Sequence, residues 1–371
     1  MGPSIIFDKS AIQSIGQRAI YEVNRYFYTV LPPVLLMEIL ADLSLDPEDL
    51  EGSKVKVAEV ARKVLPPDSF ANLDYRSLCI ADLLGGEIEM SRRPVVGGAR
   101  AVVSKDGRQG VHIDVQPENE AVLRWRAGEF NEDDLQFADS WRRNAQAIDL
   151  EAIKKGLPKS PIKFRSVKEL AIFVDTMLEE TDLQAAMLDW LLDLLRYERY
   201  VCNWVRHRWH VHGYTSIKAF APYAFHCLRV QTLFLLGMSH NLLGTRPTNV
   251  LDVEYFFYSP FAHAFCSGDK IHRQLAPIVL EDDQTFVPRE EMRKALMELV
   301  TARQEIRDVE PRDESIIHRL WTKHLERSVP QASRPPISQA RSKRTMEQIK
   351  PIMEAIRESE LRRPPPPRWP A

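Results

Sequence analysis

The chain has 371 residues, of which 44% are hydrophobic and 27% charged. This apolar content suffices for a folded core, so a wholly disordered chain is excluded, and the length fits one large domain with an insertion or two to three small domains. Lys and Arg number 50 against 52 Asp and Glu, and the net charge of −2 disfavours a strongly basic nucleic-acid coat protein. The four scattered cysteines form no CxxC pair, which disfavours a disulfide framework or a cysteine-rich zinc module.

The sequence gives no targeting or membrane signal. Its first ten residues contain neither a basic region nor a long apolar run, so we expect no signal peptide. Charged and polar residues interrupt the two most apolar stretches, 183–195 and 219–239. Neither stretch predicts a transmembrane helix. We therefore expect a cytoplasmic protein without a membrane partner.

The N-terminal 43 residues predict an α/β pattern. The apolar run 4–7 favours a short strand that ends at Asp8, and apolar residues at helical spacing follow, namely Ile12, Ile15, Ala19 and Val23. A second strand is predicted up to Leu31. The Pro32-Pro33 pair then marks a break before a helix that carries Glu38.

The middle of the chain is predicted to be mainly helical. Residues 44–87 favour helices with a break at Pro66-Pro67, and 166–212 and 216–237 favour further helices. Residues 95–115 differ, because two β-prone runs flank a Lys-Asp-Gly turn, which predicts a hairpin.

The C-terminal third returns to an α/β pattern before becoming polar. We predict a short helix from Asp252 to Tyr258, a buried strand over 262–267 followed by Asp269, and a helix over 288–308. The remaining residues, 311–371, are basic and Pro-rich, which favours a flexible tail with one helix near 343–360.

Four carboxylates follow predicted strands or stand in the helices near them: Asp8, Glu38, Asp252 and Asp269. Ligands of parallel α/β sheets bind at the carboxyl ends of the strands, so acids that follow strands or open the next helices are expected to converge there. Clustered carboxylates repel one another and favour a hard divalent cation such as Mg²⁺ or Mn²⁺. Such a site suits metal-assisted phosphodiester hydrolysis.

The chain resembles the PIN-like nuclease family in three segments: IIFDKSAI, LPPVLLMEIL and NVLDVEYFFYSPFAHAFCSGDK. The family pattern matches Asp8 with Ser10, then Glu38, then Asp252. It ends in a Ser-x-Asp that matches Ser267 and Asp269. The resemblance covers residues 1–43 and 245–290 only, and about 200 residues separate Glu38 from Asp252, which is far more than in typical family members.

The resemblance implies a three-layer, parallel-sheet core formed by residues 1–45 and 245–310. Residues 46–244 would be a large, mostly helical insertion with the hairpin near 95–115. The implied activity is that of a metal-dependent endoribonuclease with RNA as substrate, and the family's bacterial members suggest a role as a toxin or defence effector. A protein partner or inhibitor could bind the insertion or the tail.

The same resemblance assigns roles to the acids. Asp8 and Asp252 would be the main metal ligands, Glu38 would position the attacking water, and Asp269 would support a second ion. Ser10 and Ser267 would hydrogen-bond water or a neighbouring carboxylate. Arg246, just before the third acid, could contact a phosphate.

Other interpretations stay open. The first is a catalytically inactive scaffold of the same fold that acts as a nucleic-acid or protein binding module. The second is a phosphatase with a strand-end aspartate as nucleophile, which normally needs a second Asp where Ser10 stands. The basic, aromatic segment 204–214 could hold RNA by charge and stacking, or its histidines could bind a metal.

Overall fold

The computed structural model describes the residues 2–46, 48–64, 69–103, 106–107, 109–113, 117–156, 162–244, 246–305 and 309–325. The chain divides into two compact units. Unit 1 consists of Met1–Asp74, Met90–Gln146 and Pro247–Val329. Unit 2 consists of Tyr75–Glu89 and Ala147–Arg246, together with residues 330–371, which lie outside the described part of the chain.

The structure contains strands in unit 1 and helices in both units. The strands are β1 Ser4–Phe7, β2 Tyr28–Leu31, β3 Ser69–Ala71, β4 Ala99–Val103, β5 Gln109–Ile113, β6 Ala264–Ser267 and β7 Thr285–Pro288. The helices of unit 1 are α1 Lys9–Ser14, α2 Gln17–Tyr26, α3 Pro33–Leu40, α4 Leu50–Ala61, α6 Pro117–Ala127, α7 Glu132–Gln146, α14 Asn249–Asp252, α15 Glu254–Phe257, α16 Lys270–Val279, α17 Arg289–Glu305 and α18 Ile316–Leu325. Those of unit 2 are α5 Tyr75–Leu83, α8 Leu150–Gly156, α9 Val167–Glu179, α10 Gln184–Leu195, α11 Arg199–Val211, α12 Ile217–Phe220 and α13 Pro222–Ser239. Three 3₁₀ helices span Ala41–Ser44, Thr181–Leu183 and Ser259–Phe261.

Five parallel strands form the sheet of unit 1, in the order β3-β2-β1-β6-β7. The chain therefore winds from β1 towards one edge and from β6 towards the other, and the direction changes between these two central strands. Right-handed crossovers in opposite directions place their helices on opposite faces of the sheet. This arrangement confirms the prediction of an α/β fold with a parallel sheet.

The central strand β1 shows why this segment lies in the core. Its sequence SIIF is almost wholly apolar, and all four residues are buried. Parallel strands that are covered on both faces have such continuous apolar runs, because both sides of the strand contact helices. β1 pairs with β2 on one side and with β6 on the other, with Ile6 opposite Val30 and Phe265.

The described residues of unit 2 form helices and loops without a strand, and α13 is the most buried of these helices. This 18-residue helix contacts α5, α8, α9 and α12. Asp82 of α5 accepts hydrogen bonds at Oδ2 from the backbone N–H groups of Tyr223 and Ala224, at 2.7 and 3.0 Å. The carboxylate therefore caps the N-terminus of α13, whose first N–H groups have no partner within the helix. No helix in the described residues is long and apolar enough to cross a membrane.

The unit boundaries differ from the predicted domain boundaries. Residues 46–74 and 90–146 group with the sheet in unit 1, whereas the sequence placed them in the insertion. One cause is β3, a three-residue strand at 69–71 in a stretch predicted to be helical. A strand this short shows no alternating pattern that sequence reasoning could detect. Residues 99–103 and 109–113 pair as the predicted hairpin, with β4 antiparallel to β5.

The first part of the predicted flexible tail is folded. Helix α18 contacts α17 in unit 1, and its residues Ile317 and Leu320 are buried. Trp321 packs edge-on against Tyr26, with 5.7 Å between ring centroids. The prediction for this part was wrong, because basic residues interspersed along α18 conceal an apolar helical face. The helix predicted near 343–360 lies outside the described residues.

Candidate metal centre

Asp8 stands at the carboxyl end of β1, where the sheet changes winding direction. It is also the N-cap of α1, because its Oδ1 accepts the backbone N–H of Ala11 at 2.7 Å. The Ser10 hydroxyl lies 3.0 and 3.1 Å from the two oxygens of this carboxylate. The local sequence thus fixes the carboxylate at the strand end, where a crevice between adjacent strands is expected. Only 1% of Asp8 is exposed.

Ser267, the last residue of β6, links the strand ends of β1 and β6. Its hydroxyl lies 2.5 Å from Asp8 Oδ2 and 2.7 Å from Nδ1 of His272. The Ser267 Oγ also accepts the backbone N–H of Asp269 at 2.9 Å. A hydroxyl has one proton to donate and two lone pairs to accept, so these three contacts use its full capacity.

The same hydrogen bonds determine the protonation of His272. Its Nε2 lies 2.7 Å from the backbone carbonyl oxygen of Asp252, which only accepts, so Nε2 carries a proton. Because the Ser267 hydroxyl donates to Asp8, Nδ1 of His272 must donate to Ser267. Both ring nitrogens are then protonated, and a buried imidazolium stands beside the Asp8 carboxylate, with Nδ1 and Oδ2 3.5 Å apart.

The electrostatics of this pair agree with that assignment. Burial acts to raise the pKa of Asp8, but the hydrogen bond and positive charge of His272, with the hydrogen bonds from Ser267 and Ala11, lower it overall. Burial acts to lower the pKa of His272, but the neighbouring Asp8 carboxylate raises it overall. Each group therefore stabilises the charged form of the other.

Asp269 and His272 complete a group that could bind a metal ion. Asp269 is the N-cap of α16, and His272 lies one turn later on the buried face of that helix. Potential ligand atoms of Asp8, Asp269 and His272 all lie within 4.8 Å of one another. His272 was missed by sequence reasoning, although its spacing of three residues from Asp269 is the signal that could have found it.

Glu38 stands in α3 with its carboxylate directed to a neighbouring tyrosine. Its Oε2 accepts the hydroxyl of the fully buried Tyr255 at 2.5 Å. Burial raises the pKa of Glu38 to about 7, and the negative charges of Asp252 and Asp8 act in the same direction. The Tyr255 hydrogen bond and the Lys9 ammonium oppose this effect only in part. Glu38 therefore lies close enough to the other predicted acids to be coupled to them.

Asp252 is buried, with 8% of its surface exposed. The sequence predicted that Asp252 opens a helix, and this was wrong. Asp252 ends the short helix α14, because the helical turn already begins at Asn249. Its negative charge raises the pKa values of Glu38, Tyr255 and His272, so it lies near all three side chains. The structure thus brings Asp8, Glu38, Asp252 and Asp269 into one neighbourhood, although only Asp8 and Asp269 belong to the compact group with His272.

The other predicted site residues, and Lys9, differ in their surroundings. Ser10 and Ser267 both contact the Asp8 carboxylate. Lys9, which sequence reasoning did not single out, donates to the backbone oxygen of Glu38 at 2.9 Å and pairs with Asp42 at 2.6 Å. The predicted phosphate contact Arg246 is exposed and is grouped with unit 2, and its role stays a prediction.

Comparison with known proteins does not assign this chain to a family. No family model matches the chain, and no curated protein or solved structure matches it. The class that the fold and the site define is an α/β protein with a parallel sheet and an acid- and histidine-containing centre at the carboxyl edge of its two central strands.

Proposed function

We propose that the chain is a metal-dependent ribonuclease that hydrolyses phosphodiester bonds at the centre around Asp8. The observation that carries the proposal is the convergence of four acids, Asp8, Glu38, Asp252 and Asp269, next to the switch between β1 and β6. Burial, reinforced by the negative charges of Asp252 and Asp8, raises the pKa of Glu38 to about 7. Such mutual repulsion in a partly buried site is relieved when a divalent cation binds.

The donor set fits a small divalent cation. Asp8 and Asp269 would hold the ion, and Asp252 and Glu38 are the neighbouring oxygen donors for further coordination or for water. Carboxylate oxygens favour Mg²⁺ and Mn²⁺, and an imidazole ligand favours Mn²⁺ over Mg²⁺. His272 can serve as a ligand only after Nδ1 has lost its proton and its hydrogen bond to Ser267, so we assign it a supporting role.

The residues themselves have distinct tasks in the proposed reaction. A bound cation supplies activation of water and stabilisation of the charge on the leaving oxygen. Glu38, with a pKa near neutrality, is suited to accept a proton from the attacking water. Tyr255 fixes the orientation of Glu38 through its hydroxyl, and Ser267 with His272 fixes that of Asp8.

RNA as the substrate, and a toxin or defence role in the cytoplasm, rest on the resemblance to PIN-like nucleases. Within this proposal the insertion and the C-terminal residues remain the segments through which a protein partner or inhibitor would act. The structure supports the resemblance to the extent that residues matched to the family stand at adjacent strand ends of one parallel sheet.

A second candidate, an inactive scaffold that binds nucleic acid or protein, is favoured by one specific observation. The Asp8 carboxylate is already satisfied by Ala11, Ser10 and Ser267, and the His272 imidazolium neutralises its charge. A carboxylate whose hydrogen bonds and charge are already satisfied needs no cation, as expected of a scaffold without catalytic activity. Metal binding therefore separates the two candidates.

The test measures cleavage of labelled RNA with Mn²⁺, Mg²⁺ or EDTA by the wild type and three variants. We expect Asp8→Asn and Asp269→Asn to lower the metal-dependent rate by at least about 100-fold, since both would lose a charged ligand. The matched control is Asp42→Asn, which removes an acid that pairs with Lys9 outside the compact group.

Circular dichroism would first establish that each variant folds. Metal-dependent cleavage by the wild type that is retained in Asp42→Asn and lost in the other two supports the proposal. Equal rates in all four proteins, or equal Mn²⁺ affinity by calorimetry, would overturn it in favour of the scaffold.

A further inference from the structure

A basic cleft of about 510 Å³ lies in unit 1, apart from the acids of the candidate metal centre. We call it the α17 cleft, because most of its lining comes from that helix. Its lining residues are Ser14 from the end of α1 and Arg289, Glu290, Arg293, Lys294 and Met297 from α17. The distance along α17 from the first to the last of these residues is about 12 Å, at 1.5 Å per residue.

One end of the α17 cleft adjoins the candidate metal centre. The sheet register pairs Ser267 with Pro288, so the next residues, Gly268 and Arg289, are neighbours across the ends of β6 and β7. A Cβ atom at Gly268 would lie 2.7 Å from the guanidinium carbon of Arg289. The absence of a side chain therefore lets the guanidinium lie against the backbone between Ser267 and Asp269.

The charges of the cleft are mostly unneutralised. Arg293 and Lys294 are exposed, and no carboxylate of the described residues forms an ion pair with either. The single acid of the lining, Glu290, is engaged by Arg289 at 3.0 Å and by Arg273 at 3.5 Å. The N-terminal end of α17 adds the positive end of its helix dipole. An anionic ligand would therefore be attracted along this helix.

We propose that the α17 cleft binds the phosphodiester backbone of the strand that is cut at the candidate metal centre. The identity of that strand as RNA rests on the proposed function. Guanidinium groups bind phosphate oxygens through two parallel hydrogen bonds, and a lysine adds a point charge. Arg289 would contact the phosphate next to the reacting one, and Arg293 and Lys294 would contact phosphates further along the same strand.

Position decides between a polynucleotide and an acidic peptide. The cations begin at the backbone of Gly268, between two residues of the candidate centre, and continue outward along one helix. A polynucleotide that presents one phosphate to the centre necessarily carries the next phosphates past its edge. An acidic peptide has no reason to be aligned with that centre.

The test is direct binding in EDTA, where no metal-dependent cleavage occurs. A fluorescein-labelled single-stranded RNA of about 20 nucleotides is titrated with the wild type and with Arg293→Gln/Lys294→Gln, and anisotropy is recorded at several KCl concentrations. Each lost phosphate contact lowers the salt slope by about 0.7 for a single strand. The double variant should therefore lose about 1.4 in slope, which is about 25-fold in affinity near 0.1 M salt.

The matched control is Lys56→Gln/Arg143→Gln, which removes two positive charges from exposed residues of α4 and α7 in the same unit. It should change affinity by less than about twofold, since neither residue lines the cleft. The inference is overturned if the two double variants bind RNA alike. It is also overturned if polyglutamate displaces the RNA at the same concentration as unlabelled RNA does, which would indicate an acidic peptide partner.

Failure of this inference and failure of the proposed function give different results. If the wild type cleaves RNA with Mn²⁺ but the cleft variant binds and cleaves like the control, the α17 cleft is refuted and the metal centre stands. If no protein cleaves RNA but binding depends on Arg293 and Lys294, the cleft inference is supported as a binding surface and the proposed nuclease activity is refuted.

Discussion

Replacement of Glu38 by Gln should stabilise the metal-free protein at alkaline pH. Gln retains the size of the side chain and an oxygen that can accept the Tyr255 hydroxyl, but it carries no charge. Burial and the charges of Asp252 and Asp8 raise the pKa of Glu38 from 4.5 to about 7. A carboxyl group whose pKa is raised by folding stabilises the folded state fully below pH 4.5. That contribution is lost as the pH rises to about 7.

The magnitude follows from the difference between the two pKa values. At about 1.4 kcal/mol for each pH unit, ionisation of Glu38 costs the folded state at most about 3 kcal/mol above pH 7. At pH 4.5 the wild-type carboxyl is largely neutral and resembles Gln, so the two proteins should be equally stable. At pH 8 the variant should be more stable by up to about 3 kcal/mol.

The assay is urea unfolding of both proteins in EDTA at several pH values between 4.5 and 8. Only the difference between the two proteins is interpreted, because groups that titrate in this window without interacting with Glu38 cancel in the difference. Glu298→Gln, an exposed position on α17, is the control and should give a constant difference. A constant difference for Glu38→Gln would contradict the raised pKa of Glu38, since it would mean that the ionised carboxylate is not destabilised by its surroundings.

Three further predictions concern the strand ends and α18. Ser267→Ala should lower the free energy of unfolding by about 1–3 kcal/mol in urea titrations, because it leaves buried partners of one hydroxyl unsatisfied; an unchanged midpoint would contradict this. Burial lowers the pKa of His263 to about 4, which opposes protonation of the folded wild type. As the pH falls from 6.5 to 4, the free energy of unfolding of the wild type should therefore fall by at most about 3 kcal/mol relative to that of His263→Gln. A pH-independent difference between the two proteins would argue against that burial effect. Leu320→Ala should cost about 2–5 kcal/mol, and the exposed control Leu123→Ala less than about 0.5 kcal/mol; equal effects would exclude α18 from the core.

In the proposed function, the repulsion between the clustered acids lowers the stability of the fold but serves metal binding. Partly buried carboxylates that repel one another destabilise the fold, and the charge of His272 offsets this for Asp8, for Asp252 and, at 3.9 Å, for Asp269. Glu38 lies beside Tyr255 and Asp252, and the ammonium of Lys9, which is more exposed than His272, opposes the rise of its pKa only in part. A protein with no use for this charge would be more stable with a neutral residue there.

Much of the fold could be predicted from local patterns. The continuous apolar run of β1, the Pro32-Pro33 entry to α3 and the long amphipathic pattern of α17 are each recognisable alone. β3 could not be recognised, because three residues carry no period, and α18 was hidden by basic residues. In both cases the decisive information is contact with distant parts of the chain.

The candidate site likewise combines features that are local in the sequence with features that depend on long-range contacts. The positions of Asp8 and Asp269 after apolar strands could be read from the chain alone, because strand ends are local properties. The pairing of β1 with β6 is visible only in the folded chain, because more than 250 residues separate the two strands. This pairing brings Ser267, Asp8 and His272 into one hydrogen-bonded group. The protonation of His272 and the raised pKa of Glu38 likewise depend on burial and on charges from other elements. Long-range pairing and desolvation are properties of the folded chain as a whole, so no local pattern contains them.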